Sequence, residues 1–217
     1  MGTNTIFMSE DFAEIASDIA EVSRSFYQRG WALGTSGNFS APVSRDPLRL
    51  AITPSGVDKG QLIPGQILLI DDQSNILNNH SGKPSDETPL HIRIILERRA
   101  GAVLHTHSIW STILSDMHAG DGGLVIEGYE MLKGLEGIKT HEHKVWLPIL
   151  ENSQDMTALA QEVSEVLRSN KDAPGFLLRR HGLYTWGNTL AQAKRYVEIL
   201  EFLLEIMGCM RLIQKEN

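Results

Sequence analysis

Two histidines spaced i, i+2 close the run Ala100-Gly-Ala-Val-Leu-His105-Thr-His107-Ser108. In an extended backbone such residues point to the same face, so both imidazoles can reach one point. Neutral imidazoles converging at a strand end suit Zn²⁺ or a similar first-row ion. The competing reading is a pair of polar residues that merely end a strand. His181 stands in the same context, where the buried run Phe176-Leu-Leu178 gives way to the turn Arg179-Arg-His-Gly182, and is the best third ligand by position. His141 and His143 form a second His-x-His, but a lysine-bearing turn before them and Lys144 after them point to solvent. His80, His91 and His118 read as loop or helix-surface residues.

Three protein ligands leave a metal an open position, the catalytic pattern. A metal held in this way can polarise a carbonyl or stabilise an enediolate, and it then needs a carboxylate to move protons. Glu87, Glu127, Glu130 and Glu136 are all available, and spacing does not rank them.

Two turns could receive an anion. Gly34-Thr-Ser-Gly-Asn-Phe-Ser40 combines small residues with free N–H and hydroxyl groups, and Thr53-Pro-Ser-Gly56 repeats that chemistry after the next strand. Read alone, the first stretch is better taken as a surface turn leading into a hairpin. Further on, Ser85 is placed to N-cap a helix running to about Arg99. Asp86 and Glu87 would then complement the helix dipole from its first turn.

The remaining pattern supplies the frame. A helix is expected over 9–29, capped by Ser9, with Phe12, Ile15, Ile19, Val22 and Phe26 on one face. Strands are expected over 48–52, 66–71, 102–107, 124–126, 144–148, 176–178 and 183–186, the last two as a hairpin. Helices are expected over 108–117, 155–169 and from a Thr189 cap onward, the last burying Ala193, Val197, Leu200, Leu204 and Met207. Glu127 to Gly137 reads as a turn or short helix. Strands interleaved with helices argue an α/β or α+β single domain spanning residues 1–217.

The 217 residues are 41% hydrophobic and 22% charged, with 20 Lys+Arg against 27 Asp+Glu, a formal charge of −7. No basic cluster marks a nucleic-acid surface, so nucleic acid is not an expected partner and an anionic substrate needs local donors. No run is long and uncharged enough for a membrane span, and no signal peptide is apparent. The single cysteine, Cys209, excludes an intrachain disulfide, suits a reducing cytoplasm, and is expected to be a buried inert thiol in its apolar helical run.

Taken together, Gly-Thr-Ser-Gly-Asn-Phe-Ser (34–40), Ile-Thr-Pro-Ser-Gly (52–56), Lys-Pro-Ser-Asp-Glu-Thr (83–88), His-Thr-His-Ser (105–108) and His-Gly-Leu (181–183) resemble the class II aldolase/adducin family, in family order. Arg29-Gly-Trp31, Tyr129-Glu-Met-Leu-Lys133, Thr140-His-Glu142, Asn152-Ser-Gln-Asp155 and His181-Gly-Leu-Tyr-Thr-Trp-Gly187 narrow the resemblance to the family's sugar-phosphate dehydratases of methionine salvage. The resemblance implies a three-layer domain with a central mixed or antiparallel sheet flanked by helices. It also implies one zinc ion on His105, His107 and His181, and a homotetramer. Glu130 matches the dehydratases' proton donor and acceptor. Glu87 matches the aldolases' catalytic, sometimes metal-binding carboxylate, which not every dehydratase keeps. The substrate phosphate would lie against Ser36, Gly37, Asn38, Ser55, Gly56 and Ser85, where Asp86 departs from the small residue usual at its position. The implied reaction is dehydration of a methylthio sugar phosphate through an enediolate. A sugar-phosphate aldolase or epimerase on the same scaffold is the alternative, and a non-catalytic interaction module is a third.

Overall fold

The computed structural model describes residues 10–215, so the expected Ser9 cap lies outside the described residues. Its centre is one eight-stranded sheet. The elements are α1 (Glu10–Gln28), β1 (Asn38–Arg45), β2 (Leu48–Ile52), β3 (Leu68–Ile70), α2 (Thr88–Arg98), β4 (Ala102–Thr106) and α3 (Ile109–Met117), followed by β5 (Gly123–Ile126), β6 (Val145–Leu150), α4 (Met156–Ser169), β7 (Gly175–Leu178), β8 (Gly182–Gly187) and α5 (Leu190–Lys215). The strands lie in the order β3-β2-β1-β4-β8-β7-β6-β5. Neighbours are antiparallel except for β6 and β7. The sheet is therefore mixed and mainly antiparallel, as expected.

Both faces of the sheet are covered, and the period-2 alternation of each strand shows how. Leu50, Ile52, Val103, Phe176, Leu178 and Tyr184 pack with Leu90, Ile94 and Ile95 of α2 and Leu159, Val163 and Leu167 of α4. The residues between them in sequence face the opposite way: Ala51, Ala102 and Leu104 pack with α1 and with Ala193 and Val197 of α5. Leu177 and Leu183 meet the middle of α5 and Leu114 of α3. Three layers result, helix–sheet–helix.

Several boundaries differ from those expected. Helix α2 starts at Thr88, with Glu87 at the N-cap and no side-chain cap. Ser85 forms the preceding turn, its carbonyl accepting from the Thr88 N–H at 3.0 Å. Asp86 and Glu87 thus stand before the helix. β3 is shorter than the 66–71 run, because residues 64–66 form a 3₁₀ turn. Cys209 is exposed, which corrects the expected buried thiol. Met210, Leu212 and Ile213 after it are exposed as well, so the apolar run at the end of α5 extends past the core. His91 is fully buried, which corrects its reading as a surface residue. Among the described residues, no helix is long and apolar enough to cross a membrane.

The pairing of β4 with β8 positions the chemistry. Thr106 lies opposite Leu183, and Leu178 of β7 opposite Gly182, so the ends of β4 and β7 and the start of β8 meet at one end of the sheet. Ile126 of β5 lies opposite Val145, the start of β6, at the other end. At Gly182 a Cβ would stand 2.0 Å from the Thr106 carbonyl oxygen and 3.1 Å from His105 Cε1. Only a bare Cα fits that approach. Gly182→Ala is expected to cost about 1–3 kcal/mol, the usual penalty of overpacking. Urea denaturation would check this, and wild-type stability would refute the tight approach.

Candidate metal centre

His105 is on β4 and His107 one residue beyond it, where the backbone N–H of His107 donates to the Trp31 carbonyl at 2.8 Å. That bond keeps the segment extended past the strand end, so both side chains stay on the α2 side. His181 arrives from the β7–β8 turn, and Glu87 from the start of α2. The three Nε2 atoms converge: His107 to His105 at 2.8 Å, His181 to His107 at 3.2 Å, and His105 to His181 at 3.3 Å. Glu87 Oε1 stands 3.2 Å from His181 Nε2 and 3.5 Å from His105 Nε2. These four residues can each offer one ligand atom to a single ion.

The surroundings prepare the imidazoles as ligands. His105 Nδ1 donates to the Leu183 carbonyl at 3.0 Å, and His181 Nδ1 faces the Asn152 side-chain oxygen at 3.3 Å. A neutral ring that donates from Nδ1 presents its lone pair at Nε2. Burial, reinforced by the neighbouring histidines, pushes the His105 pKa well below its usual value. Burial, then His181 and Lys59, take that of His107 down to about 3. Burial lowers His181 too, against the pull of Glu87. The His105 ring stacks on Tyr184 at 3.8 Å, which fixes its plane. Burial first and the Glu87 carboxylate second keep the Tyr184 phenol protonated. Glu87 Oε1 is buried without a hydrogen-bond donor. A carboxylate oxygen facing three neutral imidazoles fits a divalent cation, with the buried Tyr184 hydroxyl, also unpartnered, beside it.

The expected anion loops lie beside this cluster to different degrees. Gly37 is buried with φ +73°, and a Cβ there would stand 2.8 Å from the His105 carbonyl oxygen, so the 34–37 turn lies directly on β4. Ser36 and Ser85 are half-buried, whereas Ser55 and Gly56 are exposed on a turn joined to this region by the Ser55 N–H to Lys83 carbonyl bond, 2.8 Å. The Asn38 amide is already engaged, donating to Glu87 Oε2 at 2.5 Å and to Ser85 Oγ at 3.3 Å. Asp86 is solvated and paired with Lys83 at 2.9 Å. Lys59, which sequence reasoning did not single out, is buried under the turn with Nζ donating to the Thr35 and Val57 carbonyls at 3.1 and 3.0 Å. Burial outweighs the adjacent Asp58 and lowers its pKa to about 8.

Among the four candidate carboxylates, only Glu87 joins the histidines. Glu127 pairs with Lys144, and Glu136 accepts from Gln192. Glu130 opens a short 3₁₀ helix after β5, with its side chain 71% exposed and paired with Lys133 at 2.6 Å. Lys133 and His141 hold its pKa below the usual carboxylate range. Since β5 leads away from the histidine end of the sheet, Glu130 lies outside the cluster of its own chain. His141 and His143 are exposed, as expected.

The three-layer fold thus carries, at one end of its sheet, three histidines and a glutamate that could hold a metal ion. The chain belongs to the class II aldolase and adducin N-terminal domain family, whose model matches residues 17–207. It is 42% identical over 195 residues to methylthioribulose-1-phosphate dehydratase of Marinobacter nauticus, covering 89% of this chain and 92% of that protein. The same-named protein of Pseudomonas syringae pv. tomato is 42% identical over 201 residues, 92% of this chain and 97% of that one. Among solved structures, the L-fuculose-1-phosphate aldolase of Thermus thermophilus superposes with a TM-score of 0.74 at 25% identity, covering 94% of this chain and 98% of that chain.

A second carboxyl stands on the other side of β4. Glu201 of α5 is buried and accepts from Thr106 Oγ1 at 2.5 Å, while its Oε2 lacks a partner. Burial dominates, only partly offset by Thr106 and Ser108, and raises its pKa from 4.5 to about 7. A raised carboxyl pKa gives a stabilising contribution that is whole below about pH 4.5 and lost as pH rises to about 7. Glu201→Gln removes that loss. Its stability relative to wild type should rise between pH 5 and 7.5, by up to about 3 kcal/mol. Denaturation at both pH values reads the difference, and a constant gap would contradict a buried neutral carboxyl.

Proposed function

We propose that the protein is a zinc-dependent hydro-lyase that dehydrates 5-methylthioribulose 1-phosphate to 5-methylthio-2,3-dioxopentyl phosphate, a step of methionine salvage. The observation that carries this reading is the three-histidine cluster with Glu87, in a chain 42% identical to proteins named for that dehydration over nine-tenths of its length. His105, His107 and His181 would hold the metal. When bound, Zn²⁺ supplies Lewis-acid polarisation of substrate oxygens, which acidifies the neighbouring C–H bond. The 34–37 turn, the 55–56 turn and Ser85 receive the phosphate, with Ser36 and Gly37 closest to β4.

Dehydration requires loss of a proton from C3 and of the hydroxyl from C4, which leaves as water once protonated. Glu87 has one oxygen tied to Asn38 and the other turned to the histidines, so a freer carboxylate must move the protons. The resemblance assigns this to Glu130. Its place at the far end of the sheet fits a role at the site of a neighbouring copy in the proposed homotetramer. Exposed Ile109, Ile113 and Met117 of α3 offer apolar surface for contact between copies. A reducing cytoplasm suits the exposed thiol of Cys209.

A sugar-phosphate aldolase is the second reading, favoured by Glu87 at the cluster. Incubating the zinc-loaded protein with methylthioribulose 1-phosphate and with fuculose 1-phosphate separates the two. Loss of one water from the former supports the dehydratase, and carbon–carbon cleavage of the latter supports the aldolase. Glu130→Gln should keep zinc and lose about 10²–10⁴-fold in kcat. His181→Ala should lose zinc and activity together. Co-assembled Glu130→Gln and His181→Ala chains should recover part of the activity that each lacks alone. Recovery would place Glu130 at a neighbour's site, and its absence would remove Glu130 from that role.

A further inference from the structure

Four polar groups, three of them buried and Glu87 partly so, run in file from β1 to the histidine cluster, and their donor–acceptor order is forced. As a carboxylate Glu87 accepts at Oε2, so the group of Asn38 facing it at 2.5 Å is the NH₂. The Asn38 carbonyl oxygen must then face His91 Nε2, with which it makes a short hydrogen bond, and Nε2 must carry the proton. A neutral imidazole has one N–H, so His91 Nδ1 is an acceptor and takes the hydroxyl proton of Ser40 at 2.7 Å. His91 and Ser40 are fully buried and Asn38 nearly so. Burial pushes the His91 pKa to about 3, in keeping with a neutral ring. Reversing any link leaves two acceptors or two donors face to face in a dry interior, where a mispaired polar group is costly.

We infer that His91 is a positioning residue: it fixes the orientation of the Asn38 amide and, through it, holds Glu87 with one oxygen tied back and the other turned toward His105 and His181. The ring packs edge-on against Tyr184 with centroids 5.9 Å apart, so the stacked column behind His105 also keeps His91 in place. Without the Nε2 proton, the Asn38 amide can rotate and present its oxygen to Glu87, which turns the carboxylate away. The inference deepens the metal-centre reading and rests on it for its consequence, while the hydrogen-bond order stands on geometry alone.

Two measurements test it. Nitrogen-15 histidine spectra of the metal-free wild type, with His91 assigned by comparison with His91→Phe, should show the proton on Nε2 of His91 from pH 6 to 8. A proton on Nδ1, or a charged ring, would overturn the inference. Zinc competition against a chelator should show affinity tenfold or more weaker in His91→Phe, which keeps the ring volume, and recovered to within about threefold in His91→Gln, which can still donate. Asn38→Ala should weaken zinc binding similarly, and the double variant His91→Phe/Asn38→Ala no further. Wild-type affinity in a folded His91→Phe protein, or losses that add, would also overturn it. If His91→Phe fails to fold, His91→Gln supplies the same assignment and the wild-type tautomer decides. Neither measurement uses substrate, so absence of dehydratase activity, or of zinc binding by the wild type, would count against the proposed function without touching the tautomer result.

Discussion

The register between β4 and β8 is the constraint on which the rest of the site depends. With Thr106 opposite Leu183, His105 and His107 face the α2 side while Thr106 and Ser108 face α5, and His181 enters from the turn before β8. A slip of one residue would turn both histidines toward α5 and its buried Glu201. Hydrophobic alternation cannot enforce this register, since Ala102, Val103 and Leu104 are buried on both faces. The polar and steric contacts can. The Gly182 Cα admits the Thr106 carbonyl, His105 Nδ1 reaches the Leu183 carbonyl, and Thr106 Oγ1 reaches Glu201. Each of these works only in the observed pairing, so the residues that pin the strands also aim the histidines.

The second requirement is that a dry pocket hold several ionisable groups without unpaired charge. The protein meets it mostly by neutrality. His91, His105 and His107 are depressed by burial and remain uncharged near neutral pH. Lys59 donates to two backbone carbonyls, and Glu201 retains its proton to about 7. What remains is the orphaned oxygen of Glu87 facing three lone pairs, a set completed by a cation. Charge around this centre therefore comes from Lys59, from Glu87 and from a bound metal, which makes the position of Glu87 consequential.

The histidine set and the frame were legible because they rest on local regularities. His105 and His107 follow the strand period, His181 follows a recognisable strand-to-turn change, and the α1 and α5 stripes follow the helical period. His91 escaped because it belongs to a helix flanked by Leu90 and Ile92, where a lone polar residue reads as exposed. Its partners Asn38 and Ser40 lie more than 50 residues earlier, on a strand that meets α2 only in the folded chain. Glu201 was hidden in the same way within an apolar run. Ser85 looked like a cap because Ser, Asp and Glu form a good helix start. The structure uses Ser85 for a turn and for Asn38 and Glu87, which delays the helix to Thr88. Cys209 was misjudged because an apolar run on a helix does not reveal where the sheet beneath it ends.

Topology also separates the functions that one chain can combine. The histidine end of the sheet gathers the ends of β4 and β7, so the three histidines and Glu87 are held at strand ends, in the tight turn between β7 and β8 or at the start of α2. Such residues suit ligand duty, which requires fixed atoms. A proton carrier must change partners during turnover, and Glu87, held by Asn38 on one side, is poorly suited to that. Glu130 has the opposite character: it is exposed, ionised and at the far end of the sheet, fixed by nothing firmer than a surface pair with Lys133. A surface pair of that kind is worth little and readily exchanged. On the proposed reading, rigid ligands come from one chain and the mobile carboxylate from another. Activity then depends on assembly, whereas metal binding depends only on the fold of a single chain.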